Sequence, residues 1–338
     1  MDIKNLAKPN IRSLSAYQAE EIPCRVKLDA NESPYGFRAL KSVMTNRYPD
    51  PEAKDLRKLV ARDYRVKTGN ILHGNGSDEL IYNLITTFGG PVLYPVPTFS
   101  MYGIISQALD ENRIEIPLNS EFDLDIDKTL ALIKKRKPKL IFLSSPNNPT
   151  GNCFSPDKIF RVIKQSKGLV VVDEAYQPFS GQNRFLPLLK KYKNLIVLRT
   201  LSKIGLAGLR VGFMIAGTGI INEVNKVRLP FNLNSLSQNV AIEALRNKKQ
   251  LRSFISSIIS ERKSLSGEMK KMEGVEVYPS DANFILFKVK NADNIYNTLL
   301  KKGILLRNMK GIFEGCLRVT VGTPKENTAF LIAMKQLL

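Results

Sequence analysis

Between about residue 70 and residue 216 the chain alternates short β-branched or apolar runs with longer stretches of helical periodicity, and few folds accept that pattern. The runs fall at 71–73, 91–95, 113–117, 139–144, 169–173, 195–200 and 211–216. They do not alternate apolar with polar, as expected of strands covered on both faces. Helical stretches such as 78–88 and 156–165 lie between some of them. The alternation predicts an α/β layered fold around a mostly parallel, seven-stranded sheet. Helix starts are legible too. Ser155 stands as a hydroxyl N-cap before Pro156, and Ser77 precedes Asp78, Glu79 and an apolar run.

After about residue 235 the pattern changes. A long amphipathic stretch over 236–272 leads to strands at 275–278 and 284–289, a helix over about 294–302, strands at 304–307 and 317–321, and a final helix. This predicts a smaller C-terminal α/β domain over 241–338, joined by the long helix to a large domain over 31–240, with residues 1–30 as an N-terminal arm.

The length of 338 residues and a hydrophobic share of 43% suffice for a sizeable core in two domains. No apolar stretch approaches the ~20 residues that span a bilayer. Met1-Asp2-Ile3-Lys4-Asn5 lacks the apolar core of a signal peptide, so the expectation is a cytoplasmic protein without a membrane partner. Three cysteines, Cys24, Cys153 and Cys316, show no metal-ligand spacing and read as reduced thiols. His73 is the single histidine, which argues against a multi-histidine metal site and a histidine-based triad. Chemistry must then run on Lys, Tyr, Asp or a cofactor.

The net charge of +20 has the sign of a nucleic-acid footprint. Its basic residues, however, form many small clusters: Lys134-Lys135-Arg136-Lys137, Lys190-Lys191, Lys248-Lys249, Lys270-Lys271 and Lys301-Lys302. No nucleic-acid motif accompanies them and no aromatic residues interleave. The reading is a solvated basic surface spread over the fold, or a field that draws phosphorylated small molecules, with no nucleic-acid partner.

Ser202-Lys203 follows the apolar run at 195–198, which places the lysine just beyond a strand's carboxyl end, where ligand crevices of open α/β sheets lie. Asp173 closes the run Leu169-Val170-Val171-Val172, and Tyr176 follows it. A lysine amine that forms an imine, a carboxylate that keeps a pyridine nitrogen protonated and a phenol that donates to a phenolate oxygen are what a pyridoxal cofactor requires. Gly74-Asn75-Gly76-Ser77-Asp78 opens a helix whose free N–H groups favour an anion, although such a turn is often only a turn. Arg210 and the Ser202 hydroxyl are available to complete that cradle. In Ser145-Pro146-Asn147-Asn148-Pro149-Thr150-Gly151 the amide of Asn148 can donate to the phenolate oxygen, or the segment is simply a tight turn. Phe99 can stack on a ring or serve the core.

Together, Asn148-Pro149-Thr150-Gly151, Asp173-Glu174-Ala175-Tyr176, Ser202-Lys203 and Arg210 resemble the fold-type I, class II pyridoxal-phosphate aminotransferases. Leu28-Asp29-Ala30-Asn31-Glu32-Ser33-Pro34, Arg47-Tyr48-Pro49-Asp50, Pro97-Thr98-Phe99-Ser100-Met101-Tyr102 and Leu317-Arg318-Val319-Thr320-Val321-Gly322 are similar to blocks of the histidinol-phosphate aminotransferases. These blocks stand in that family's order and span nearly the whole chain.

The resemblance implies pyridoxal 5'-phosphate carried on Lys203, which also shuttles the proton of the reaction. It implies Asp173 on the pyridine nitrogen, Asn148 and Tyr176 on the phenolate oxygen, Phe99 against the ring, and Gly76, Ser77, Asp78, Ser202 and Arg210 on the phosphate. Tyr48 would reach the phosphate of a neighbouring subunit's cofactor, making a homodimer with shared sites. Arg318 would clamp the anionic end of the substrate, with Tyr17, Asn31 and Arg307 nearby. The implied reaction exchanges an amino group between histidinol phosphate and 2-oxoglutarate. Aromatic aminotransferase, threonine-phosphate decarboxylase and an aminotransferase-like regulator are the alternatives on the same frame. Three departures stand out: the stretch from Lys203 to Arg210 is one residue short, Phe99 replaces a common tyrosine, and Ser33 precedes Pro34.

Overall fold

The computed structural model describes residues 24–29, 31–35, 48–181 and 185–338. The elements in chain order begin with β1 (Val26–Lys27), α1 (Lys54–Tyr64), β2 (Ile71–Asn75), α2 (Gly76–Phe88), β3 (Val92–Val96), α3 (Met101–Ala108) and β4 (Arg113–Pro117). Next come α4 (Ile126–Arg136), β5 (Leu140–Ser144), α5 (Pro156–Gln165), β6 (Leu169–Asp173), β7 (Leu195–Thr200), β8 (Val211–Ala216), α6 (Thr218–Asn225), α7 (Ser235–Arg246) and α8 (Lys248–Met269). The chain ends with β9 (Val275–Val277), β10 (Phe284–Val289), α9 (Ala292–Lys301), β11 (Ile304–Leu305), β12 (Arg307–Asn308), β13 (Cys316–Thr320) and α10 (Pro324–Lys335).

Seven strands form one sheet in the order β2-β8-β7-β6-β5-β3-β4. Pairs β3–β4, β3–β5, β5–β6 and β6–β7 are parallel, whereas β8 is antiparallel to both β7 and β2. Only β8 therefore runs against the rest. The apolar runs divide by period two: Val170 and Val172 enter one core layer with Ile159 and Val162 of α5, and Val171 enters the other with Leu80 and Leu84 of α2. That two-sided burial is why the sequence shows no alternation there.

The second sheet, β12-β13-β10-β9, is antiparallel throughout. Its apolar face, with Ile285, Phe287, Leu317 and Val319, joins the same core layer as Val170 and Val172. The short β1 pairs in parallel with β11, Val26 opposite Ile304, and so fastens the start of the described chain to its C-terminal part.

Several expectations are corrected. The single helix over 236–272 is two, α7 and α8, because Asn247 ends the first and caps the second by accepting from Gln250 N. The strand at 304–307 is split at Leu306: β11 pairs with β1 and β12 with β13. Ser155 precedes α5, but its hydroxyl donates to Asp123 Oδ2 at 2.6 Å instead of capping. The helix expected from 78 already starts at Gly76, with Asn75 rather than Ser77 before it. Of the arm at 1–30, only residues 24–29 are described. No helix among the described residues is long and apolar enough to cross a membrane.

Candidate active site

Because β2, β3, β5, β6 and β7 share a direction, Asn75, Val96, Ser144, Asp173 and Thr200 end at one edge of the sheet, and β8 starts there at Val211. Apart from that of Tyr48, every segment expected around the cofactor follows or precedes one of these ends. Ligands bind beyond the carboxyl ends of such strands because the loops there diverge and leave backbone groups free.

At the centre of that edge Asp173 is buried, register partner of Ser144 on one side and Leu198 on the other. Its Oδ2 accepts from Tyr102 Oη at 2.7 Å and its Oδ1 from Ala175 N at 3.1 Å. Burial, opposed by those two donors, lifts its pKa from 3.8 to about 6, with Asp78 raising it and Lys203 lowering it further. A buried carboxylate in this position is stabilised by a nearby cation, which a protonated ring nitrogen would supply. Tyr102 itself is fully buried and stacked on Phe142, and in the sequence it stands out only as part of a motif block.

To one side lies an anion cradle. The N–H groups of the first turn of α2 lack intrahelical partners. Gly76 N donates to Arg210 O at 2.7 Å, which draws Arg210 beside that turn in a left-handed conformation, φ 54°. The guanidinium donates to Ser202 Oγ at 3.3 Å and to Asp78 Oδ2 at 3.0 Å, and Thr200 Oγ1 lies 2.9 Å from the same Ser202 oxygen. Space is kept by two glycines. A Cβ on Gly76, whose φ is +80°, would lie 2.5 Å from Arg210 Nη2, and one on Gly212 would lie 2.5 Å from Ser77 N. Gly76, Ser77, Asp78, Ser202 and Arg210 are thus brought together.

Lys203 stands on the wide turn that follows β7, its Nζ 5.7 Å from the Tyr176 ring centroid. The short connection to Arg210 closes because Gly205 takes φ +97°, with Tyr35 O so near that a Cβ would meet it at 2.5 Å. Tyr176 Oη accepts from Asn31 Nδ2 at 3.2 Å, which leaves its own hydrogen to donate elsewhere. Asn31 is buried, its N–H donating to Thr320 Oγ1 at 2.9 Å. Arg318 of β13 donates to Asn148 Oδ1 and, at 3.0 Å, to Asp29 O, with its guanidinium 5.0 Å from the Phe284 ring centroid. Asn148 Oδ1 being engaged, the amide NH2 is what it can offer a ligand. Phe284 also packs edge-on against Tyr176 at 5.2 Å. Neither Phe284 nor the Asp29 carbonyl has a local signal in the sequence, since both meet the site only through the second sheet.

The remaining candidates are less central. Phe99 is half-buried, edge-on to Tyr102 at 5.6 Å. Arg307 is exposed and is the register partner of Arg318 on the adjacent strand. Tyr48 is 81% exposed and stacks on Phe231 at 4.6 Å, away from any contact with the other candidates. Tyr17 lies outside the described residues.

An amine, a buried carboxylate in need of a cation, and a cradle of helix N–H groups, hydroxyl and guanidinium kept open by two glycines fit pyridoxal phosphate in chemistry and in placement. The profile of the aminotransferase class I and II family matches residues 13–333. The histidinol-phosphate aminotransferase of Aquifex aeolicus is 45% identical, covering 96% of this chain and 96% of that protein. That of Caldanaerobacter subterraneus subsp. tengcongensis is 40% identical, covering 99% of each. The fold matches the crystal structure of histidinol-phosphate aminotransferase from Sinorhizobium meliloti in complex with pyridoxal-5'-phosphate at a TM-score of 0.86 and 23% identity, covering 98% and 97% of the two chains.

Proposed function

The chain belongs to the class I and II aminotransferase family, and within it we propose that it exchanges an amino group between histidinol phosphate and 2-oxoglutarate, giving imidazole acetol phosphate and glutamate. The observation that carries this reading is the set of relatives above 40% identity along nearly the whole chain, together with Arg318 held beside Asn148. When bound, pyridoxal phosphate supplies a carbonyl that condenses with amines and a ring that accepts an electron pair.

The residues divide the remaining work. Lys203 Nζ would hold the cofactor and, once free, would take a proton from the substrate's α-carbon as general base and deliver it as general acid to the cofactor carbon that bears the substrate's nitrogen. Asp173 holds a proton at the ring nitrogen. Tyr176 Oη and the Asn148 NH2 donate to the phenolate oxygen, and Phe99 covers a ring face. Gly76, Ser77, Asp78, Ser202 and Arg210 hold the cofactor phosphate. Arg318 binds the phosphate of one substrate and a carboxylate of the other, since guanidinium matches either anion. Its contacts with Asn148, Asp29 and Phe284 aim it, so little rotational freedom is lost on binding. Tyr17, Asn31 and Arg307 complete the substrate end.

The protein is read as a cytoplasmic homodimer, with residues 31–240 as the large domain, 241–338 as the small domain and 1–30 as an arm. In support of pairing, Tyr48, Leu229, Phe231 and Leu236 are exposed apolar side chains, and Tyr48 stacks on Phe231. Tyr48 would then donate to the phosphate of the other subunit's cofactor. Purified enzyme assayed against histidinol phosphate, threonine phosphate and phenylalanine tests the substrate reading. Preference for either of the last two over histidinol phosphate would replace it.

A further inference from the structure

The basic residues are not spread evenly over the fold. Strands β7, β6 and β5 are neighbours, and the segments that lead into their amino ends lie side by side on the edge opposite the candidate active site. Lys134-Lys135-Arg136-Lys137 and Lys139 precede β5, Lys164 and Lys167 precede β6, and Lys190, Lys191 and Lys193 precede β7. All are exposed, and none makes an ion pair among the described residues. No acidic residue occurs within these three segments. Along the edge beyond β3 the loop before β4 brings Asp110 and Glu111, of which Glu111 is engaged by Gly90 N.

The three segments are fastened to one another. Asn194 Nδ2 is within hydrogen-bonding distance of the carbonyls of Ile163, Ser166 and Gly168, at 3.0, 3.3 and 3.3 Å. Leu169 N donates to Lys139 O and Val170 N to Asn194 O, each at 2.8 Å. Gly168 lies so close to the preceding segment that a Cβ would come 2.2 Å from Pro138 O. The cations are therefore held together by rigid backbone and cannot spread apart. Part of this charge complements the carboxyl ends of α4 and α5, but that function involves only the last turn of each helix. Nor does it guide substrates: five-residue strands put the patch ~17 Å from the site edge, about two screening lengths at physiological salt.

We propose that this edge is a docking surface for the phosphate backbone of a nucleic-acid duplex, held by charge without reading of bases. Nine of the ten cations are lysines, point charges without the planar fork that confers specific recognition. None of the exposed large apolar side chains belongs to the three segments, which disfavours a protein partner, whose interfaces are anchored by aromatic and apolar groups and are poor in lysine. Three strands only ~5 Å apart make a narrow, dense patch. That matches a rod with one charge per ~1.7 Å better than a flat membrane.

The test uses cofactor-loaded enzyme and a fluorescent duplex of about 20 base pairs, titrated at about 50 and 200 mM salt. Two variants carry the same change in net charge: K135E/K137E/K164E/K191E at this edge, and K249E/K270E/K301E/K325E elsewhere. The edge variant should bind about tenfold or more weakly, with a salt slope smaller by roughly three to four, while the other variant stays near wild type. Both should keep aminotransferase activity. If the edge variant fails to fold, glutamine at the same four positions takes its place, with the same direction expected. Equal losses in the two variants, no duplex binding by wild type at the lower salt, or edge-dependent binding to anionic vesicles or polyglutamate without duplex binding would each overturn the proposal.

Discussion

Replacing Asp173 by asparagine separates what the site costs the fold from what it provides to the chemistry. The carboxyl is buried, and burial raises its pKa from 3.8 to about 6. In the cofactor-free protein this group contributes stability that is complete below pH ~4, where both folded and unfolded forms are protonated, and is lost as pH rises through about 6. A displacement of roughly two pH units is worth ~3 kcal/mol. Asparagine has the same shape, can accept from Ala175 N through its carbonyl, and can donate to Tyr102 Oη, which then turns its own hydrogen away. Urea denaturation of the two cofactor-free proteins should show little difference near pH 4. Above pH ~7 the variant should be more stable by up to ~3 kcal/mol. Turnover of the loaded variant should fall by about 10²–10³, the size of losing one preorganised electrostatic group. A stability difference that does not change with pH, or a variant less stable than wild type above neutrality, would refute the burial reasoning. Near-normal turnover would remove Asp173 from the ring nitrogen.

Further outcomes are expected at four other residues. Borohydride should fix the cofactor covalently to Lys203, and peptide mapping of the adduct to another lysine would displace that assignment. Gly212→Ala should weaken cofactor retention at least tenfold and cost about 1–3 kcal/mol of stability, because the added carbon meets backbone at 2.5 Å; spectrophotometric cofactor titration and thermal melts check it. Arg199→Ala, which strands the buried Glu174 that Arg199 contacts through Nε at 2.7 Å, should destabilise by about 3–5 kcal/mol in denaturant titration. Tyr48→Phe should weaken cofactor binding by ~1.5–3 kcal/mol. Mixing a Lys203→Ala chain with a Tyr48-disrupted chain should restore activity in verified heterodimers, and an active monomer would end the shared-site reading.

Much of the fold and of the candidate site is legible in the residues themselves. Four strands of the main sheet, β4, β6, β7 and β8, have the bounds expected of them; β6, β7 and β8 are buried on both faces and leave unbroken apolar runs, whereas β4, at the sheet edge, alternates exposed and buried residues. The expected cofactor residues other than Tyr48 stand near strand ends, and chain order alone brings parallel strand ends to one edge. The expectations that fail are local in appearance but tertiary in cause. An amphipathic period does not show that a side-chain cap at Asn247 divides one long helix into two. Nor does a hydroxyl before a proline show that a neighbouring carboxylate, Asp123, has claimed it.

Three features depend on the folded chain. Tyr102 reaches Asp173 across 71 residues, and Arg318 meets Asn148 across 170, pairings that no local propensity encodes. The basic residues before β5, β6 and β7 look dispersed along the sequence and converge only because parallel connections return the amino ends of these three strands to the same edge. Residue types and their spacing determined which chemistry this protein can carry out, because a strand records its own burial in its own residues. Which side chains face one another was decided by strand order, because contact energy depends on distance in space and the chain path sets that distance only once the sheet has closed.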